Sequence, residues 1–401
     1  MVEKYIELLL NKCVDFTSGI LFVNYNKEIK EFINKLCIRA KELGIKEIYK
    51  EEIDPYYTHE VLLNSTLEQI ENNPYFDSSI WDKYASKNAS FLIFETEYPH
   101  LMDDIEPEKI GLSAKIRRNS RPIYRKMVEE CTLSWCIAAY PSKTWAETIF
   151  QTEDSYEKLL DFIYKVCMID KENPIKSWDE HLKKVDKIIT RLNNLNIDSM
   201  HYTNSLGTDL IVYLPENYLF SSAKDSKVIV NMPSYEVFTS PIYNKTEGIV
   251  YSSMPLNYNG GIVDEFFVEF KDGKVVNYDA KVGKNILKEV INNDSNTCYL
   301  GECALVEKNS PIASMNLSVG TTLIDENASC HLALGAGFRE CLKDGITYTD
   351  EELMKIGVNV SKGHTDFMIG TPDLNIVATT KDGLEVPIFI NGEYSKEINS
   401  D

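Results

Sequence analysis

The chain reads as an α/β N-terminal domain with a parallel sheet, followed by a β-rich α+β C-terminal domain. Three observations predict this. Its 401 residues exceed what one hydrophobic core usually organises, so two domains are expected. The first half alternates short apolar runs with stretches of helical period, the pattern of βαβ units. After Asn196 the apolar runs are short, rich in β-formers and separated by Gly, Asn, Asp and Pro. The expected domains are therefore residues 1–196 and 197–401, joined within Asn193–His201.

The elements follow in order. GILFVNYN (19–26) is a strand. KEIKEFINKLCIRAKELG (27–44) places Ile29, Phe32, Ile33, Leu36 and Ala40 at helical spacing, and IKEIYKEEI (45–53) is a second strand beyond Gly44. SFLIFETEYP (90–99) repeats the strand signal, EPEKIGLSAKIRRNSRPIYRKMVEECT (106–132) is helical, and CTLSWCIAAYP (131–141) supplies another strand. From Thr144 to Asn196 the period is again helical, with Leu182, Val185, Ile188, Ile189 and Leu192 on one face. The β-rich runs then begin: SMHYTNSLGTDLIVYLP (199–215), SKVIVNMP (226–233), TEGIVYSSM (246–254), GGIVDEFFVEFKDGKVVNYDAKV (260–282) and CHLALGAGF (330–338). Within the fourth of these, Asp272-Gly273 between two strand-like stretches signals a hairpin.

Composition narrows the functional classes. A hydrophobic share of 43% with 26% charged residues is that of a folded globular protein, which excludes extensive disorder. Asp and Glu outnumber Lys and Arg by 62 to 42, and the resulting charge of -20 repels phosphate backbones and anionic bilayers. Nucleic acid and membrane are therefore excluded as expected partners. The nine cysteines are scattered, odd in number and without a Cys-x-x-Cys pair, so no disulfide framework or zinc ribbon is expected. The opening MVEKYIELLLNKC has no signal-peptide core, and no run reaches the ~18 apolar residues of a membrane span. A cytoplasmic location is expected.

Five side chains in the second half are able to bind metal: Glu236, Glu302, His331, His364 and Asp366. His364 and Asp366 stand two apart in HTDFMIG, a strand-like run, so they share a face and can converge on one ion. Glu236 lies beside Val237, Phe238 and Thr239, and Glu302 precedes the apolar Cys303–Val306. A carboxylate in such surroundings must be paired, protonated or metal-bound, or else sit at an exposed edge. His331 follows Cys330, but neighbours on an extended chain face opposite ways, so Cys330 reads as a packed residue and not as a nucleophile served by that histidine. Asp325 and Glu326 are expected to orient ligands or cap backbone. His59, His100, His181 and His201 are assigned no role.

In order, NMPSYEVFTSP (231–241), LGECALV (300–306), LIDENASCHLALG (323–335) and SKGHTDFMIGTPDL (361–374) resemble the ligand motifs of the aminopeptidase T/aminopeptidase S family of metallo-exopeptidases, the thermophilic aminopeptidase type. Looser likeness in KSWDEHLKKVDKIITRLNNLNIDSMHY (176–202), PSKTWAETIF (141–150) and GTDLIVYLPE (207–216) extends it over nearly the whole chain. The resemblance implies metal ligation by Glu236, Glu302, His331, His364 and Asp366, a homodimer, and release of N-terminal amino acids from peptides. Two divalent ions are expected, zinc by default for mixed imidazole and carboxylate ligands, with cobalt or manganese able to substitute. Metal-activated water would attack the scissile carbonyl, and Glu302 is the candidate to relay its proton to the leaving amine.

Two positions depart from the family pattern. Phe338 stands where the motif continues to a tyrosine, and Tyr235 where glycine is usual before the ligand glutamate. Phe338 motivates the alternative reading, a catalytically weakened metal- or peptide-binding member of the same scaffold. A dinuclear phosphoesterase is a third reading, disfavoured because no phosphate cradle of P-loop or Rossmann type is present.

Overall fold

The apolar runs of the first half become one parallel sheet. In the computed structural model, which describes residues 1–224, 228–258, 261–315 and 317–399, its five strands lie in the order Glu47–Ile53, Ile20–Asn26, Ser90–Glu95, Trp135–Ala139 and Asn231–Met232. All four pairings are parallel. The central strands are buried on both faces, as parallel sheets require: Leu21, Phe22, Val23, Phe91 and Leu92 are fully covered. On one side Phe22 packs against Phe91, Trp81, Tyr84 and Tyr49. The helical stretch at 106–132 divides into Pro107–Asn119 and Pro122–Glu129, because Pro122 has no N–H to continue the first helix and instead opens the second.

The compact units differ from the expected division at Asn193–His201. One comprises Met1–Asp179 with Lys224–Pro233, the other Glu180–Ala223 with Ser234–Asp401. The chain changes unit inside the helix Pro174–Asn194, and it returns briefly because Asn231 and Met232 pair with Ile137 and Ala138. The SKVIVNMP run, read as part of the β-rich domain, thus ends on the parallel sheet. Ser226 and Lys227 of that run, and Gly260 of a later one, lie outside the described residues.

The second unit holds two antiparallel sheets. Eight strands of the larger lie in the order Leu256–Tyr258, Gly261–Lys271, Glu247–Tyr251, Asp209–Tyr213, Ile197–Thr203, Asn375–Thr380, Glu385–Ile390 and Glu393–Tyr394. The ninth, Lys274–Val282, pairs with Gly261–Lys271 through the Asp272-Gly273 hairpin. Both turn residues have positive φ, 50° and 76°, as a tight turn matched to the strand twist demands. The smaller sheet has four strands in the order His364–Met368, His331–Gly335, Leu300–Leu305 and Val237–Thr239. Its Val237, Cys303, Leu305, Leu332, Leu334 and Phe367 join Met200, Tyr202, Leu210 and Ile376 of the larger sheet in one core. That burial occupies one face of the small sheet and leaves the other for chemistry. No helix among the described residues is long and apolar enough to cross a membrane.

Candidate metal centre

The register of the small sheet decides which side chains meet. Ala304 pairs with His331 and with Phe238, Glu302 with Ala333, Ala333 with Asp366, and Gly335 with His364. Side chains at paired positions, and at positions two apart on one strand, share a face. Glu236, two residues before Phe238, therefore joins Glu302, His331, His364 and Asp366 on the face opposite the core. Ala304, Ala333 and Gly335 between them leave room above the sheet for an ion.

One irregularity makes this possible. Leu300 pairs with Leu334 on the core face, yet Glu302, two residues later, opposes Ala333 on the site face, so the alternation slips at Gly301. A Cβ at Gly301 would lie 2.2 Å from the Ala336 carbonyl and 2.3 Å from that of Gly335, so only glycine fits the bulge.

The side chains converge closely. His331 Nε2 lies 3.4 Å from Glu236 Oε2, and His364 Nε2 lies 3.1 Å from Glu302 Oε2 and 3.2 Å from Asp366 Oδ1. One ligand atom from each of Glu302, His331 and Asp366 fits within 4.8 Å of the others, the spacing of donors around one cation. At their other nitrogens the imidazoles are held by backbone: Nδ1–H of His331 donates to the Ser329 carbonyl at 3.1 Å, and Nδ1–H of His364 to that of Ala336 at 2.8 Å. A carbonyl only accepts, so each Nε2 is turned inward as the available donor to a metal. Asp366 Oδ1 is buried without a hydrogen-bond partner of adequate geometry, which in a native core asks for an ion or other cation. The donor set, with an Asp366 oxygen that makes no well-formed hydrogen bond, fits a divalent metal.

Proton affinities report the same crowding. Burial raises the Glu236 carboxyl to about 7; His331 opposes the shift, and Glu302 and Asp366 add to it. His331 and His364 are desolvated, yet the surrounding carboxylates raise both above the usual imidazole value. Asp366, desolvated as well, is nevertheless held down at about 2 by His364. Among the described residues no lysine or arginine pairs with Glu236, Glu302 or Asp366. The site opens at His364, whose side chain is 26% exposed against 1% for His331 and 5% for Glu302.

Residues outside the five also contribute. Asp325 caps local backbone, accepting from Ser318 Oγ and from the N–H groups of Val319 and Gly320. Glu326 instead lies within electrostatic reach of Glu236, Asp366, Glu302 and His364. Glu340, two residues after Phe338, is half-buried; desolvation raises its carboxyl and Glu302 adds to the shift. His181, assigned no role from sequence, has Nε2 at 3.2 Å from the Ser234 carbonyl and its ring packs tilted against Tyr235, 4.9 Å between centroids, so it supports the approach to Glu236. The Phe338 ring lies 5.0 Å from His364 and 5.1 Å from Phe238. Cys330 is packed in the core, with its Sγ against the Val306 backbone. The DENAS stretch signalled involvement of Glu326 without its direction; nothing in GFRE singled out Glu340.

Comparison with known proteins follows this geometry. Residues 1–394 match the model of the thermophilic metalloprotease (M29) family. Aminopeptidase 2 of Geobacillus stearothermophilus is 34% identical, covering 99% of this chain and 98% of its own. Aminopeptidase PepS of Streptococcus thermophilus is 33% identical, covering 98% and 97% respectively. A solved structure, wild-type AmpT from Thermus thermophilus, matches with a TM-score of 0.89 and 26% identity, over 98% of each chain.

Proposed function

The chain belongs to the thermophilic metalloprotease (M29) family, and from that premise we propose a dinuclear form of its metal-dependent aminopeptidase activity, with Glu236, Glu302, His331, His364 and Asp366 as ligands. The observation that carries this reading is the convergence of all five on one face of one sheet, with no lysine or arginine among the described residues to neutralise the three carboxylates. Bound divalent ions supply Lewis acidity toward the scissile carbonyl and an acidified water. Glu302 is the proton carrier: its Oε2 faces His364 Nε2, and a carboxylate there is placed to accept a proton and deliver it to the leaving amine. Zinc suits the donors, with cobalt or manganese as substitutes. Substrates are peptides with a free N-terminus. The protein works as a homodimer in the cytoplasm, a compartment in keeping with cysteines that form no disulfide among the described residues.

The weakened-member alternative rests on Phe338, whose ring lacks a hydroxyl beside His364. The test is elemental analysis and anomalous scattering of metal-loaded protein, with turnover of aminoacyl chromophores before and after chelation. Two ions per chain and reversible loss of turnover are expected. A zinc-loaded protein inert across the panel would favour the weakened member, and ions bound away from these five residues would reject the site. Light scattering is expected to give twice the 45.9 kDa chain mass; the single-chain value at micromolar concentration would reject the dimer.

A further inference from the structure

We infer that Asn359 is a positioning residue for the metal centre: it lies outside the five ligands, yet its hydrogen bonds fix the backbone that orients His364. This rests on the metal-site reading above and extends it to the support behind one ligand.

His364 is the candidate ligand that packing holds least, with its side chain 26% exposed against 1% for His331. On the side away from the other ligands its ring is held by one hydrogen bond, from Nδ1–H to the Ala336 carbonyl at 2.8 Å. Ala336 stands just past the strand His331–Gly335, so something beyond the regular ladder must aim that carbonyl. In a trans peptide the C=O and N–H point opposite ways. The Gly337 N–H, the other edge of the same peptide unit, donates to the Asn359 carbonyl at 2.8 Å, which sends the Ala336 carbonyl toward His364. The preceding unit is tied at both edges too. Its Ala336 N–H donates to the Gly363 carbonyl at 2.8 Å, and its Gly335 carbonyl accepts from Asn359 Nδ2 at 2.6 Å.

The Asn359 side chain sets where this backbone stands. Nδ2 donates to the Asn296 carbonyl at 2.9 Å as well as to that of Gly335. Two carbonyls facing one atom require a nitrogen with two N–H groups, so the amide's orientation is determined by its partners. Asn359 is 1% exposed, and its Oδ1 accepts no well-formed hydrogen bond among the described residues. Such an atom detracts from stability, and a core retains it where the rest of the group is needed. The backbone before His364 is anchored separately, since Asp294 Oδ2 accepts from Ser361 Oγ and from the Lys362 N–H, each at 2.7 Å. Loss of the Asn359 donors therefore loosens the support of the ring and leaves its strand in place.

The experiment measures zinc affinity by competition with a chelator, and the d–d absorption of cobalt-loaded protein, in wild type, Asn359→Ala, Asn359→Asp and Tyr218→Phe. Asn359→Asp keeps the size of the side chain without its pair of donors. Tyr218→Phe is the stability control: it also removes two buried hydrogen bonds, to the Leu192 carbonyl and from the Ile197 N–H, both away from the ligands. Both Asn359 variants should bind zinc about ten- to hundredfold more weakly, the usual loss when the outer partner of a ligand is altered, with a changed cobalt spectrum. Tyr218→Phe should lower Tm and leave both readouts unchanged. Wild-type affinity and spectrum in either Asn359 variant overturns the proposal, as does an equal loss in Tyr218→Phe, which would show affinity merely following stability. If neither Asn359 variant folds, hydrogen exchange in wild type decides. In chelated protein the Ala336 and Gly337 amides should be as protected as the strand His331–Gly335, and free exchange there overturns the proposal. Zinc affinity unaltered by Asp366→Asn would reject the metal site itself, whereas a sensitive Asp366 with insensitive Asn359 variants rejects only Asn359.

Discussion

Each imidazole of the centre is fixed from behind by a backbone carbonyl, so its inward nitrogen is settled before any ion arrives. Phe338 is the neighbour most open to improvement, because its ring lies 5.0 Å from His364, the most exposed of the candidate ligands. Restoring a hydroxyl by Phe338→Tyr is expected to raise kcat by about tenfold or more at equal zinc occupancy, if an oxyanion donor is what the site lacks. A large loss in Tyr235→Phe, with no gain in Phe338→Tyr, would instead place that donor at Tyr235, although its ring packs against His181. The same crowding gives a pH dependence. Without ions, Glu236 is raised from 4.5 to about 7, so the stability tied to its protonated form is complete below 4.5 and lost as pH rises through about 7. His331 and His364, also raised, act in the same sense, while Asp366 loses its contribution only as pH falls toward about 2. Calorimetry of chelated protein should show Tm falling by several degrees from pH 6 to 8, with zinc-loaded protein far less affected. A chelated Tm that is flat or rising over that window would contradict the account. The five ligand candidates were legible because each sits in a distinctive motif. Glu326 was legible only as a neighbour of the ligands, and Glu340 and His181 were not, since their placement depends on how a turn and a helix are folded.

At the level of elements, periodicity located the strands but not their partners. Leu21, Phe22 and Val23, and the alternation in His364–Met368, were readable from residue type alone. The helices Pro55–Asn64, Leu67–Glu71 and Ile80–Ala85 were not, being short and only weakly patterned. Nor was the pairing of Asn231–Met232 with a strand nearly a hundred residues earlier, because long-range partnership leaves no local trace. The Gly301 bulge is the most consequential unread feature: strict alternation would put Leu300 and Glu302 on one face, either burying the carboxylate or exposing the leucine. Gly301→Ala brings a methyl against two carbonyls and should cost about 1–3 kcal/mol in urea unfolding. It should also lower zinc occupancy, since Glu302 is displaced. A variant with wild-type stability and full zinc would show that the bulge tolerates a side chain.

On the scale of the whole molecule, the balance of 62 acidic to 42 basic residues takes on a meaning that composition alone did not supply. Read by itself, a charge of -20 spoke to solubility and to the exclusion of anionic partners. Joined to an aminopeptidase, whose peptide substrates carry a cationic end, it implies attraction between enzyme and substrate before contact. Such attraction acts on encounter and leaves bound chemistry unchanged, so it belongs in kcat/KM and not in kcat. Salt shortens its reach from about 30 Å at 0.01 M to about 8 Å at physiological ionic strength. For a substrate whose only charge is its terminal ammonium group, kcat/KM is therefore expected to fall several-fold over that range with kcat constant. Binding of isocaproamide, the uncharged analogue of leucinamide that lacks the amine, should not change, which separates steering from any effect of salt on the metal centre. Stopped-flow measurement of both across a sodium chloride series checks this. A kcat/KM indifferent to salt would return the acidic surface to its simpler role, keeping the protein in solution.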